Sequence, residues 1–201
     1  IMKRIILPCL LILAAGFLLG QDKASITDSY NAETARNYTR ALQIMEDLSA
    51  NDPNDEFYIL RIAWLQYLLG SYNESMKNYQ KSNNLYPSLD AQTGILNCQL
   101  ALGMWNEAHN QAEHILKNYP QDIAVLSKAA YSTYMLQNYR ATADYYQRIV
   151  NIFPWDMESR GYLVNNLYLS KDIENARQHY QILKKYAPDS AMAKEYSKIF
   201  K

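Results

Sequence analysis

Apolar residues recur three and four positions apart along most of the chain, as in Glu56 to Leu69 and Ile123 to Leu136, and turn-forming residues interrupt them on a fixed beat. Prolines stand at 53, 87, 120, 154 and 188, separated by 34, 33, 34 and 34 residues. Seventeen residues before each come Arg36, Gly70, Gly103, Gln137 and Lys171, and two further on Tyr38, Tyr72, Trp105, Tyr139 and Ile173. Three later are Ala41, Ser75, Ala108, Thr142 and Ala176, all small.

This spacing predicts a repeated unit of helix, turn, helix and stop. Gly70 and Gly103 suit the end of a first helix, where a left-handed backbone conformation costs nothing without a Cβ. Each proline ends a second helix, since it lacks an N–H and restrains the residue before it. The small residues fit the place where two antiparallel helices approach closely, matched by Ala63, Ala130 and Val164 in the first helices, with Leu96 the exception. One such hairpin leaves an apolar face uncovered, so neighbours must stack into an elongated solenoid.

Gly70 to Pro87 and Gly103 to Pro120, with aromatic and small residues at these offsets, resemble the tetratricopeptide repeat family. The resemblance implies an all-α, right-handed solenoid of helix-turn-helix repeats. It covers residues 54–188 as four units, 54–87, 88–120, 121–154 and 155–188, preceded by a half-repeat within 21–53. The family usually keeps a small residue late in the second helix, where this chain has Ser82 but also Leu48, Ile115, Ile149 and Leu183. At the ends, Ser29 to Ala50 reads as one helix covering the first repeat. In 189–201, Asp189 or Ser190 caps a last helix running to about Phe200, with Met192, Tyr196 and Ile199 inward.

Residues 1–20 read as a leader: Met2-Lys3-Arg4, then an apolar run to Gly20 too short for a comfortable membrane span. The expectation is export to the periplasm or beyond, with no stable membrane insertion after cleavage; an uncleaved N-terminal anchor is the alternative. Cys9 lies too early in that run for a lipid-modified cysteine, and Cys98 then has no disulfide partner, reading as a small buried hydrophobe.

Lys plus Arg and Asp plus Glu number 20 each, and loss of Lys3 and Arg4 with residues 1–20 leaves a net charge of −2. Neither balance points to nucleic acid. An apolar fraction of 49% with 18 Tyr against 4 Phe favours amphipathic helix packing.

The resemblance further implies that first helices line a concave groove. In the first repeat these residues are Phe57, Leu60, Trp64 and Tyr67, and in the second Asp90, Thr93 and Asn97. Ser127, Tyr131 and Tyr134 follow, then Glu158, Asn165 and Tyr168. Such an aromatic and amide-rich stripe suits a protein or peptide partner. Two questions stay open: whether Trp64, Tyr131 and Tyr168 are displayed or packed between helices, and whether the Tyr and Trp faces instead stack on a glycan or cell-wall fragment. Relatives that grip a C-terminal carboxylate use cationic groove positions; here Leu60, Trp64, Gly94, Ala124 and Lys128 hold one such register, which argues against that clamp.

No catalytic motif, cofactor signature or metal-ligand spacing stands out. His109 and His114 lie five apart on one helix and diverge, and His179 is distant in sequence. The pattern thus describes a non-catalytic interaction scaffold and leaves its oligomeric state open.

Overall fold

A computed structural model describes residues 24–200, so the leader reading lies outside the described residues. Within them are eleven helices and no strand. They run as α1 (Ile26–Thr34), α2 (Tyr38–Ser49), α3 (Glu56–Leu68), α4 (Tyr72–Leu85), α5 (Leu89–Ala101), α6 (Trp105–Asn118), α7 (Ile123–Met135), α8 (Tyr139–Ile152), α9 (Met157–Leu169), α10 (Ile173–Tyr186) and α11 (Ala191–Tyr196). Each helix packs on the next in sequence, and the first helices of successive pairs also touch at α3–α5, α5–α7 and α9–α11. This is an all-α solenoid. No described helix is long and apolar enough to cross a membrane.

One turn geometry joins every pair. The residues seventeen before the prolines, Arg36, Gly70, Gly103, Gln137 and Lys171, all take positive φ, between 58° and 78°. At Gly70 its N–H donates to Tyr67 O at 3.0 Å and the Ser71 N–H reaches back to Gln66 O at 2.9 Å, satisfying carbonyls the helix end would leave free. The same two bonds recur at Arg36–Asn37, Gly103–Met104, Gln137–Asn138 and Lys171–Asp172. Between pairs, the proline stops a second helix and a polar residue one or two positions later caps the next. Asp55, Ser88, Asp122, Asp156 and Ser190 each accept from a backbone N–H of the helix that follows.

The N-terminal expectation needs correction. Ser29 to Ala50 is not one helix but a hairpin, because Arg36 turns left-handed and the Asn37 side-chain Oδ1 caps α2 by accepting from the Arg40 N–H. The preceding half-repeat is therefore a full pair. Ser29 occupies the small position of the first helix, fully buried, and its hydroxyl donates to Ala41 O at 2.9 Å. At the other end α11 stops at Tyr196, short of Phe200. The turns that follow bury Phe200 and leave Ile199 exposed, reversing the inward role expected of Ile199.

The close approach within each pair lies where the small residues predict. Ala41, Ser75, Ala108, Thr142 and Ala176 are fully buried, as are Ala63, Leu96, Ala130 and Val164 opposite them. Leu96 is accommodated against Ala108 and Ala112 in one apolar cluster. Cys98 is fully buried, its thiol 3.3 Å from Ser75 Oγ, and burial pushes its pKa up. Between pairs, the Tyr79 ring presses on α5 at Gly94, where a Cβ would sit 2.4 Å from the ring.

One buried cation lacks a carboxylate partner. Arg160 donates to Pro154 O at 2.7 Å and contacts His179 Nδ1 at 2.9 Å, with its Nε left without an acceptor. For that contact His179 must be neutral at Nδ1, and burial first, then the guanidinium, lower its pKa.

Gly94→Ala overpacks the α4–α5 contact and costs about 1–3 kcal/mol. Gln137→Gly, by contrast, relieves a left-handed residue and stabilises by about 1 kcal/mol, both read from denaturant unfolding. Because the folded pKa of His179 lies below its unfolded value near 6.5, its contribution is complete above that pH and fades as pH falls through the folded pKa. Melting temperatures from neutral pH downward should show this acid-side loss, and His179→Gln should flatten it.

Candidate functional site

The first helices build one face of the solenoid, and a series of cavities opens along it. The cavity of about 380 Å³ at the N-terminal end lies between α1 and α3, walled by Tyr30, Glu33, Arg61 and Trp64. The next, of about 530 Å³, is bounded by Leu60, Arg61 and Trp64 of α3, Asp90, Thr93 and Asn97 of α5, and the cap residue Asp122. The third, of about 350 Å³, lies between α7, α9 and α11 and is lined by Tyr131, Tyr134, Tyr146, Tyr162, Asn165, Asn166 and Met192.

The second and third share a design. Tyr79 of α4 and Tyr146 of α8 hold the same position of their repeats, two units apart, and each reaches from the second-helix layer to border a cavity. Tyr79 does so over Gly94; Tyr146 stacks on Tyr162 with ring centroids 5.2 Å apart. Burial is the main cause of the raised hydroxyl pKa of both, to about 12 for Tyr146.

A carboxylate ties the first two cavities together. Glu33 accepts from Trp64 Nε1 at 2.8 Å and pairs with Arg61, whose guanidinium lies 4.6 Å from the Tyr30 ring centroid. These half-buried groups fix α1 to α3.

The expected groove residues divide by environment. Tyr131 and Tyr134 are exposed, at 47% and 43%, with Tyr131 edge-on to Trp105 and Tyr134 edge-on to Tyr139. Phe57 is exposed at the start of α3, edge-on to Tyr58. Leu60, Asn97 and Ser127 are half-buried, the first two lining the second cavity alongside Asp90 and Thr93. Trp64 is both packed and displayed, stacked on Tyr67 at 6.0 Å while walling two cavities. Tyr67 is wedged between Trp64 and Tyr72. Asn165 borders the third cavity and accepts from the Tyr196 hydroxyl at 2.9 Å. Tyr168 packs edge-on to Tyr196 and Phe200 beneath the C-terminal cover. Glu158 accepts from the Tyr162 hydroxyl at 3.3 Å.

Several lining residues escaped the sequence reading: Tyr30, Glu33, Arg61, Tyr79, Asp122, Tyr146, Tyr162, Asn166 and Met192. For Tyr79 a signal existed, because Gly94 sits inside a helix, where glycine costs about 1 kcal/mol and marks a close approach. His109 and His179 are engaged in the second-helix layer, while His114 is exposed. Tyr145 donates its hydroxyl proton to Glu113 at 2.6 Å, so His109 Nε2, 2.9 Å away, is the donor to the Tyr145 oxygen.

Comparison with known proteins agrees with this architecture. Sequence comparison matches no family model, and no curated protein matches either. Solved structures do match. MamA from Desulfovibrio magneticus RS-1, residues 41 to its end, superposes with a TM-score of 0.71 at 14% identity, covering 82% of this chain and 94% of that one. MamA of strain AMB-1 gives 0.70 at 12% identity, covering 82% and 91%. YrrB, described as a TPR protein with an unusual peptide-binding site, gives 0.71 at 11% identity, covering 86% and 90%. At such identities the likeness establishes the fold: this chain is a tetratricopeptide-repeat-like solenoid.

Replacing Glu33 with Gln leaves Arg61 and Trp64 without their charged acceptor. We expect a loss of about 1–3 kcal/mol, read as faster amide exchange in α1 and α2 with α7 to α10 unchanged.

Proposed function

We propose that this protein is a non-catalytic interaction scaffold that holds a protein or peptide segment along the face built by its first helices. The observation that carries the reading is the row of cavities between successive first helices, walled by Trp64, Tyr131, Tyr134 and Tyr162 with the amides Asn97 and Asn165. Tyr and Trp offer large contact area at low rotamer cost, and amides pair with a peptide backbone. A peptide-binding site in the structurally similar YrrB supports this assignment. Cys98, the cysteine among the described residues, is sealed between helices with its pKa raised by burial and is not placed to act as a nucleophile.

The setting we propose is outside the cytoplasm, on the strength of the leader pattern of residues 1–20. The exposed tyrosine faces of the third cavity also suit stacking on a sugar ring, so glycan binding is the competing reading.

Crosslinking capture from the cell envelope tests these readings. We expect a protein partner whose recovery drops at least about tenfold in a Trp64→Ala, Tyr131→Ala double variant, as loss of two aromatic anchors implies. Retention of soluble oligosaccharides, abolished by the same changes, favours the glycan reading instead. Recovery of the protein only from the cytoplasm retires the export reading.

A further inference from the structure

The charges along the groove are unevenly satisfied. Arg61, the cation of the second cavity, is neutralised by Glu33. Asp90 and Asp122 line that cavity with no ion-pair partner among the described residues. Lys128 lines neither the second nor the third cavity. The third cavity has no cation in its wall; Glu158 lines an adjoining cavity of about 310 Å³ that shares Tyr162 and Met192 with it, and is bonded to the Tyr162 hydroxyl without an ion pair among the described residues. Around it four tyrosine rings gather from α7, α8 and α9, of which Tyr131, Tyr134 and Tyr162 are exposed.

An aromatic face is negative at its centre and attracts a cation, more strongly where water is partly excluded. Arginine adds a flat guanidinium that stacks on rings and donates several hydrogen bonds. Beside the cavity, Asn166 gives its amide hydrogen to Tyr162 O at 2.8 Å, while its buried Oδ1 accepts nothing among the described residues. The chain already places Arg61 over Tyr30 and Arg148 over Tyr145, at 4.6 and 5.7 Å from the ring centroids.

We infer that the groove recognises a basic segment of its partner, with an arginine side chain seated among Tyr131, Tyr134, Tyr146 and Tyr162 beside Glu158, and a second cation drawn to Asp90 and Asp122. This rests on the scaffold reading and adds to it the chemical class of the partner. Acidic tails are repelled by the same three carboxylates. Neutral proline-rich segments fill the tyrosine cage but leave the carboxylates unanswered.

Short fluorescent peptides alternating glycine with arginine, lysine, glutamate or proline, titrated against the protein at low and moderate salt, decide the matter by anisotropy. The arginine peptide should bind at least about tenfold more tightly than the glutamate peptide, with lysine between them. Tyr162→Leu should weaken arginine binding about fivefold while Tyr162→Phe keeps it, because the ring face and not the hydroxyl holds the cation. Glu158→Gln should weaken it about threefold. Melting curves of the three variants confirm that exposed Tyr162 and Glu158 are changed without unfolding. Arginine binding indifferent to Tyr162→Leu marks bulk charge attraction and overturns the inference. A preference for the proline or glutamate peptide that is lost in Trp64→Ala overturns it too, while leaving the scaffold reading standing. Failure of every peptide to bind overturns it as well, and envelope capture then judges the scaffold reading separately.

Discussion

Within each hairpin both helices place a fully buried residue at the close approach: Ser29 and Ala41, Ala63 and Ser75, Leu96 and Ala108, Ala130 and Thr142, and Val164 and Ala176. At two of these crossings the backbones are near enough for a hydroxyl of one helix to bond a carbonyl of the other, Ser29 to Ala41 and Ser75 to Ala63. That separation sets the thickness of every repeat. A hairpin this thin has no interior of its own, so its remaining apolar surface must be buried against the next pair. The left-handed turn that reverses the chain is part of the same constraint, and the fold tolerates Arg36, Gln137 and Lys171 there because the two back-bonds of the turn hold them.

Stacking then decides where the tyrosines go. At one second-helix position the five repeats carry Met45, Tyr79, Ala112, Tyr146 and Tyr180. Ala112 and Tyr180 lie inside continuous apolar clusters, and Tyr180 is joined there by Tyr196 and Phe200 of the C-terminal cover. Tyr79, itself part of an apolar cluster with Ala63 and Cys98, and Tyr146 also push between first helices and become walls of the second and third cavities. A ring that fits between repeats but carries a polar hydroxyl is suited to this boundary, buried on its faces and polar at its tip. The groove is thus shaped from behind by the second helices as much as by the helices that face it.

Function on such a surface depends on which side chains remain free after packing. Trp64 and Arg61 are partly consumed in fixing α1 through Glu33, and Tyr168 is consumed beneath α11. Among the described residues, Tyr131, Tyr134 and Tyr162 keep exposed faces, and the short α11 contributes only Met192 to their cavity. The short α11 packs on the apolar end while the aromatic cavity beside it stays open.

The repeat, the hairpin and the row of small residues were legible in the amino-acid order, because a beat of 34 residues and its turn chemistry are local properties written once per unit. Even the full first pair was legible in hindsight: Arg36 stands in the glycine register and Ser29 stands 34 residues before Ala63. The distribution of tyrosines between core and groove was not. Tyr67 and Tyr131 look alike as aromatic residues on first helices, yet one is wedged between Trp64 and Tyr72 and the other is open. What separates them is the size of residues in neighbouring repeats, which comes into play only once the pairs are stacked. Order along the chain therefore determined that there would be a groove, and three-dimensional packing alone decided which side chains line it, because exposure belongs to a residue's surroundings and not to the residue.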